Sequence, residues 1–211
     1  MSAQPVPPRR IGVFGGAFDP PHRGHSMLAQ TAVQHLALDL LLVVPTGSAW
    51  HKSRPLEAAQ HRMAMSALAF DGIAQVRVDA CEIQRAGPSY TVDTLRELHQ
   101  RHAGADFFLL MGQDQAQRLA GWSRAEALPE LATLCVAGRA DPRDPAHTPA
   151  PTFMGRALLA LPMPPVACSS TAIREALAAG RDAGAMLAPA VARYIAQHQL
   201  YAPTLPTENP H

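Results

Sequence analysis

Apolar residues along this chain fall into two rhythms. Short unbroken runs, bounded by glycine, proline or charge, occur at Arg10–Gly15 (RIGVFG), Leu40–Val44 (LLLVV), Phe107–Met111 (FFLLM) and Thr133–Ala137 (TLCVA). Runs of that length without polar alternation predict strands buried on both faces. Val76–Ile83 (VRVDACEI) alternates in part and predicts a further strand. Between these runs, apolar residues recur at helical spacing over His25–Leu38, Glu57–Phe70, Thr91–His102, Ser170–Ala179 and Pro189–Gln199. Shorter helical stretches follow Gln113 and surround Ala125–Leu131. Strands that are apolar throughout and alternate with helices predict an α/β fold: a doubly wound, mostly parallel sheet with helices on both faces. Such sheets bind ligands beyond the carboxyl ends of their strands, where strand order reverses. The chemistry is therefore expected on the loops that follow strands.

Residues 1–9 form a proline-rich lead-in, expected to be loose. Residues 10–202 are expected to make a single domain. Proline is the compositional oddity, with 20 residues, seven of them between Pro142 and Pro165. Arg139–Pro165 is therefore expected to be an extended loop, with one short helical piece near Gly155–Leu161. Residues 203–211 are expected to be a disordered tail. No fixed-period repeat is present.

Composition excludes several classes. With 47% hydrophobic residues over 211 positions, a full core can be built. The formal net charge of +1 leaves no basic excess for binding nucleic acid by bulk electrostatics. No apolar run reaches the roughly 18 residues of a membrane span. Met1–Arg10 lacks the pattern of a secretory signal, so no membrane association is expected. Cys81, Cys135 and Cys168 are far apart and form no CxxC pair, which reads as reduced thiols in a cytoplasmic protein.

The first chemical motif is Gly15–His25, GGAFDPPHRGH, placed between a strand and a helix. Gly15 and Gly16 permit a tight turn and close approach of backbone to a ligand. The helix N-terminus offers free N–H groups and the positive end of the dipole to a phosphate. The segment is neither a Walker loop nor a GxGxxG turn. His22 and His25 share one face if both lie in the first helical turn, where they can donate to charge developing on a phosphoryl group. His22 and His25 could be half of a metal site, with Asp19 beside them, but a catalytic metal wants at least three protein ligands and the sequence offers no convincing third. Near the C-terminus, Cys168–Arg174 (CSSTAIR) reads as a capped helix start, with Ser169 or Ser170 as cap and Arg174 able to reach an anion.

These segments resemble the HxGH nucleotidyltransferase superfamily, and GGAFDPPHRGH is similar to its nicotinate-nucleotide adenylyltransferase branch in particular. CSSTAIR resembles the same family's SSTxIR segment. Gly87–Thr94 (GPSYTVDT) and Met111–Trp122 (MGQDQAQRLAGW) resemble the segments that form the mononucleotide pocket in that branch, and Pro45–Arg54 (PTGSAWHKSR) resembles its loop after the second strand. Ala17, Thr46 and Cys168 depart from the family pattern; relatives often carry Thr or Ser, an Asn-like residue, and an aliphatic residue there.

The resemblance implies a Rossmann-like fold and transfer of the adenylyl group of ATP to nicotinate mononucleotide. The expected products are deamido-NAD and pyrophosphate, with Mg²⁺ held mainly by ATP and water. It implies catalytic roles for His22, His25 and Arg174. The expected ATP-binding residues are these three with Gly15, Gly16, Ala17, Phe18, Asp19, Ser169, Ser170 and Thr171. The mononucleotide is expected at Lys52, Tyr90, Thr91, Gly112, Gln113, Asp114 and Trp122, with ring stacking on Tyr90 or Trp122. Three alternatives remain open on sequence. An adenylyltransferase of the same fold could prefer nicotinamide mononucleotide or phosphopantetheine. A non-catalytic nucleotide-sensing module could share the core, whereas the near-zero net charge and absence of a basic stripe speak against an RNA-binding protein, so no nucleic-acid partner is expected. The chain could act as a monomer or a homo-oligomer. His99 and His102 read as a solvated helix face, and Glu57 and His61 as structural.

Overall fold

The computed structural model describes residues 7–47, 54–139, 152–164 and 166–202. The first half of the chain gives Arg10–Gly16 (β1), Arg23–His35 (α1), Leu40–Pro45 (β2), Ala59–Phe70 (α2), Val76–Val78 (β3), Cys81–Gln84 (α3), Thr91–Arg101 (α4) and Asp106–Met111 (β4). The second half gives Gln113–Gln117 (α5), Leu128–Leu131 (α6), Thr133–Arg139 (β5), Thr152–Phe153 (β6), Arg156–Ala157 (β7), Leu159–Met163 (β8), Ser170–Ala178 (α7) and Pro189–Gln197 (α8).

Six strands form one sheet in the order β3-β2-β1-β4-β5-β8, and every neighbouring pair is parallel. Val13 of β1 lies in register between Leu42 of β2 and Leu109 of β4. The pleat then divides the apolar residues. Phe14, Leu41 and Leu110 pack with α1, α2, α7 and α8, whereas Ile11, Val13, Leu42 and Leu109 pack with α4 and α6. This is the doubly wound α/β architecture expected from the unbroken apolar runs. The order reverses between β1 and β4, so the crevice beyond Gly16 and Met111 is where such a sheet binds ligands. Among the described residues, no helix is long and apolar enough to cross a membrane.

Four expectations are corrected. The strand over Val76–Ile83 stops at Val78, because the Asp79 carboxylate accepts the Cys81 N–H (2.9 Å) and turns the chain into α3. The helical piece near Gly155–Leu161 is absent. Met154 and Gly155 both have positive φ (51° and 74°) and join β6 to β7 as a hairpin turn. Leu159–Met163 then pairs with Cys135–Arg139, so sheet hydrogen bonding decides what local sequence left ambiguous. His99 is not a solvated residue: its Nε2 lies 2.8 Å from the Leu131 carbonyl and its ring 4.2 Å from that of Phe107. Arg9, placed in the loose lead-in, is tied down: its N–H donates to Asp39 Oδ2 at 2.9 Å. The expected tail from 203 and the middle of the proline-rich stretch, 140–151, lie outside the described residues.

Gly47, just after β2, is packed against the backbone of α3. A Cβ there would lie 2.0 Å from the Glu82 carbonyl oxygen. That oxygen belongs to the backbone and has no flexible side-chain end to give way. Gly47→Ala is therefore expected to cost about 1–3 kcal/mol of stability, as overpacked sites do. Urea unfolding checks this, and an unchanged midpoint would mean that the two loops slide apart freely.

Candidate active site

The loop from β1 to α1 is shaped by small residues and then fastened from several directions. A Cβ on Gly15 would meet nothing within 4 Å, so backbone is open to an approaching ligand there. Phe18 adopts φ 47° and buries its ring against Phe14 and Phe70, at 5.3 and 5.8 Å in edge-to-face contacts. Phe18 can thus meet a phosphate only through its backbone. Asp19 is 1% exposed. Its Oδ1 accepts from the Tyr201 hydroxyl at 2.6 Å, and its Oδ2 pairs with the Arg54 guanidinium. The Asp19 carboxylate is thus engaged within the fold and organises the loop. Ala17 gives its carbonyl to Arg62 at 3.1 Å.

His22 caps α1 and His25 lies in its first turn. The His22 backbone N–H donates to His25 Nδ1 at 3.1 Å. A neutral His25 ring must therefore carry its proton on Nε2, which leaves that nitrogen as a donor. The two imidazoles stack, with centroids 3.7 Å apart and planes inclined by 25°. The His25 ring also abuts Phe18 edge-on at 5.1 Å. Cys168 Sγ sits 3.3 Å from His22 Nδ1. A Cβ on Gly24 would come within 3.2 Å of both that sulfur and the His22 ring, which explains the glycine between the histidines. Burial lowers the His22 pKa to about 4. Burial, with the charge of His22 beside it, holds His25 well below 6.5. Both rings are neutral in the free protein near pH 7.

The start of α7 is stitched to the same loop. Ser169 is the cap, its hydroxyl accepting from the Ala172 N–H at 3.1 Å. Ser170 does something else: its hydroxyl donates to the Pro20 carbonyl at 2.8 Å. Arg174 donates to the Asp19 carbonyl at 2.7 Å and to Thr171 Oγ1 at 3.2 Å. The two motifs, some 150 residues apart in sequence, are thus brought together.

Arg124, two residues beyond Trp122, reaches the first of the segments expected to hold the mononucleotide. Its guanidinium lies 5.5 Å from the centroid of the Tyr90 ring and pairs with both oxygens of Asp93, at 2.9 and 2.6 Å. Tyr90 is the cap residue of α4 and Thr91 its first residue. Trp122 is half-buried, packed against the α4 and α6 side of the core. Gly112 caps α5, placing Gln113 and an exposed Asp114 just beyond β4. Lys52, with His51, lies outside the described residues. Among the described residues, no three of His, Cys, Asp and Glu come together to hold a metal ion.

Sequence reasoning passed over Arg54, Arg62 and Tyr201. Arg62 is 2% exposed and donates to the carbonyls of Glu57 and Ala17, at 2.9 and 3.1 Å. An arginine on the same face as Met65 and Ala69 was a readable sign of a buried charge with a task. Tyr201 had no such signal. His61, read as structural, has Nδ1 2.9 Å from the Tyr194 hydroxyl, joining α2 to α8.

With the geometry in view, comparison with known proteins defines the class. A cytidylyltransferase-like family model matches residues 13–176. Probable nicotinate-nucleotide adenylyltransferases from Methylibium petroleiphilum and Albidiferax ferrireducens are each 48% identical to this chain, covering 93% and 92% of it and 94% and 98% of their own lengths. The chain belongs to the cytidylyltransferase-like family of nucleotidyltransferases. Within it, the chain groups with the nicotinate-nucleotide adenylyltransferases. Solved structures of the Plasmodium falciparum nicotinic acid mononucleotide adenylyltransferase, complexed with APC or with NaAD, share the fold at TM-score 0.72. They are 18% identical, and the match covers 92% of this chain and 97% of theirs.

The lowered histidine pKa values set a pH dependence. In the unfolded chain both rings take up protons as pH falls below about 6.5, whereas His22 in the folded state resists until about 4. The unfolded state then binds more protons, so stability present at neutral pH is lost as pH falls through that window. Between pH 7 and pH 5 the loss should be on the order of 1–3 kcal/mol, partial exposure included. A His22→Gln, His25→Asn double variant should lose markedly less. Urea unfolding at the two pH values checks this, and equal losses would show that the pair is not the cause.

Proposed function

We propose that this protein transfers the adenylyl group of ATP to nicotinate mononucleotide, giving deamido-NAD and pyrophosphate, a step of NAD biosynthesis. The observation that carries this reading is the stacked His22–His25 pair at the end of β1, with Arg174 reaching the same loop from α7. The nucleophile is a phosphate oxygen of the mononucleotide. Its second pKa is about 6, so it arrives largely ionised and needs no protein base. Attack at the α-phosphorus forms one P–O bond, and the bond to the β-phosphate oxygen breaks to release pyrophosphate. The protein supplies alignment and charge stabilisation.

Gly15, Gly16, Ala17 and the backbone of Phe18 would line the phosphates. Ser169, Ser170 and Thr171 present the α7 N-terminus, and His22, His25 and Arg174 donate to charge on the α-phosphate and the leaving group. Tyr90, Thr91, Gly112, Gln113, Asp114 and Trp122 would hold the mononucleotide, with Lys52 near its phosphate. A resident metal site does not fit, since the Asp19 oxygens are engaged and no ligand cluster forms among the described residues. Mg²⁺ belongs in this proposal only as the companion of ATP, neutralising phosphate charge. Three free cysteines support a cytoplasmic setting.

The decisive assay is pyrophosphate release with ATP and Mg²⁺, offering nicotinate mononucleotide, nicotinamide mononucleotide and phosphopantetheine separately. Turnover with the first alone is expected. Activity only with another acceptor would overturn the pocket, and silence with ATP binding intact would favour a sensing module. His25→Asn leaves an acceptor for the His22 N–H but removes the Nε2 donor. It should lower kcat by about 10²–10³-fold, with far less effect on stability. Near-normal turnover would remove His25 from the chemistry. Trp122→Ala should mainly raise KM for the mononucleotide, and an unchanged KM would take Trp122 out of the pocket.

A further inference from the structure

After α8 ends at Gln197, the chain turns through Gln199 and Tyr201, both with positive φ (51° and 60°). Residues with a Cβ avoid that region because of crowding against the following carbonyl. The turn is held by the Leu200 N–H, which donates to the Ile195 carbonyl at 3.0 Å, and by burial of the Leu200 side chain against α8. Its result is to bring the Tyr201 hydroxyl to Asp19 Oδ1 across 182 residues of sequence. Burial and the neighbouring carboxylate both push the hydroxyl pKa up, so it keeps its proton to donate. Asp19 is thereby held at its side chain by Tyr201 and Arg54, and at its carbonyl by Arg174. It precedes His22 by three residues.

We propose that Tyr201 is a positioning residue for adenylyl transfer: acting through Asp19, it fixes the loop that carries His22 and His25, without touching substrate. This rests on the adenylyl-transfer reading above. A plain packing role is the competing account, because the Tyr201 ring also lies against the core. The hydroxyl separates the two.

Tyr201→Phe keeps the ring and removes only the donor. At saturating ATP, kcat should fall about tenfold, since small misplacements of reacting groups are costly. KM for the mononucleotide should stay within about twofold, as expected when ground-state binding is spared. In the Tyr201→Phe, Asp19→Ala double variant, kcat should be no lower than with Asp19→Ala alone, because removing the carboxylate already leaves the Tyr201 hydroxyl without its acceptor. Tyr194→Phe, on the same arm but bonded to His61, should leave kcat at the wild-type value. Unchanged kcat in Tyr201→Phe, equal losses in both tyrosine variants, or additive effects in the double variant would overturn the proposal. A second readout needs no turnover: the ring nitrogen NMR signals of His22 and His25 should move in Tyr201→Phe and stay put in Tyr194→Phe. Unmoved signals in Tyr201→Phe overturn the positioning role whatever the enzyme does. A wild-type protein inactive with every acceptor overturns the adenylyl-transfer reading alone.

Discussion

The buried carboxylate of Asp19 is the constraint around which the site is built. Taking a carboxylate out of water is costly unless its oxygens are engaged. Here both are, and the partners come from separate parts of the chain: Arg54 from the segment before α2, and Tyr201 from beyond α8. Arg62 sits close by, and burial lowers its pKa while the Asp19 charge offsets part of that effect. The loop at the end of β1 therefore has no freedom to choose another path. Removing any one partner would leave a buried group unpaired, and the cost of that exceeds the worth of the bond itself.

The sheet supplies the rest of the frame. Parallel strands end together, so Gly16 of β1 and Met111 of β4 open onto one crevice. The reversal of strand order between them leaves that crevice uncovered by a crossover helix. The histidine loop rises from β1, and the Gln113–Asp114 turn follows β4. The α7 motif reaches the same loop because Ile173 and Ala176 bury against the core while Ser170 and Arg174 reach out to Pro20 and Asp19. One face of that helix is spent on packing and the other on the loop.

What the sequence disclosed follows from how local each cause is. The strands β1, β2, β4 and β5 were readable because burial on both faces demands an unbroken apolar run. The histidine pair was readable because its spacing and the helix start are both local. β8 was not, since LALPM carries a proline and makes sense only beside β5. α3 was missed because a single Asp79 side-chain bond, not periodicity, ends β3. The inward turn of Asp19 and the roles of Arg62 and Tyr201 depend on contacts between residues far apart in sequence, and no window of residues contains them.

The two imidazoles add a last consequence of burial. Rings stacked at 3.7 Å cannot both carry a proton at low cost, and their surroundings already disfavour charge. The histidine pair is thus neutral in the free site, with Arg174 of α7 among the cations bound to the loop. Bringing a polyphosphate within a few ångströms reverses the balance, because an opposite charge close by favours the protonated ring. In the proposed reaction, donor strength at His22 and His25 would rise with the negative charge in front of them and be greatest where that charge develops, on the leaving pyrophosphate. A pair kept neutral by burial does not hold the ground-state anion as tightly as two permanent cations would. Under that proposal its attraction would grow as the reaction proceeds, and differential binding of that kind accelerates a chemical step.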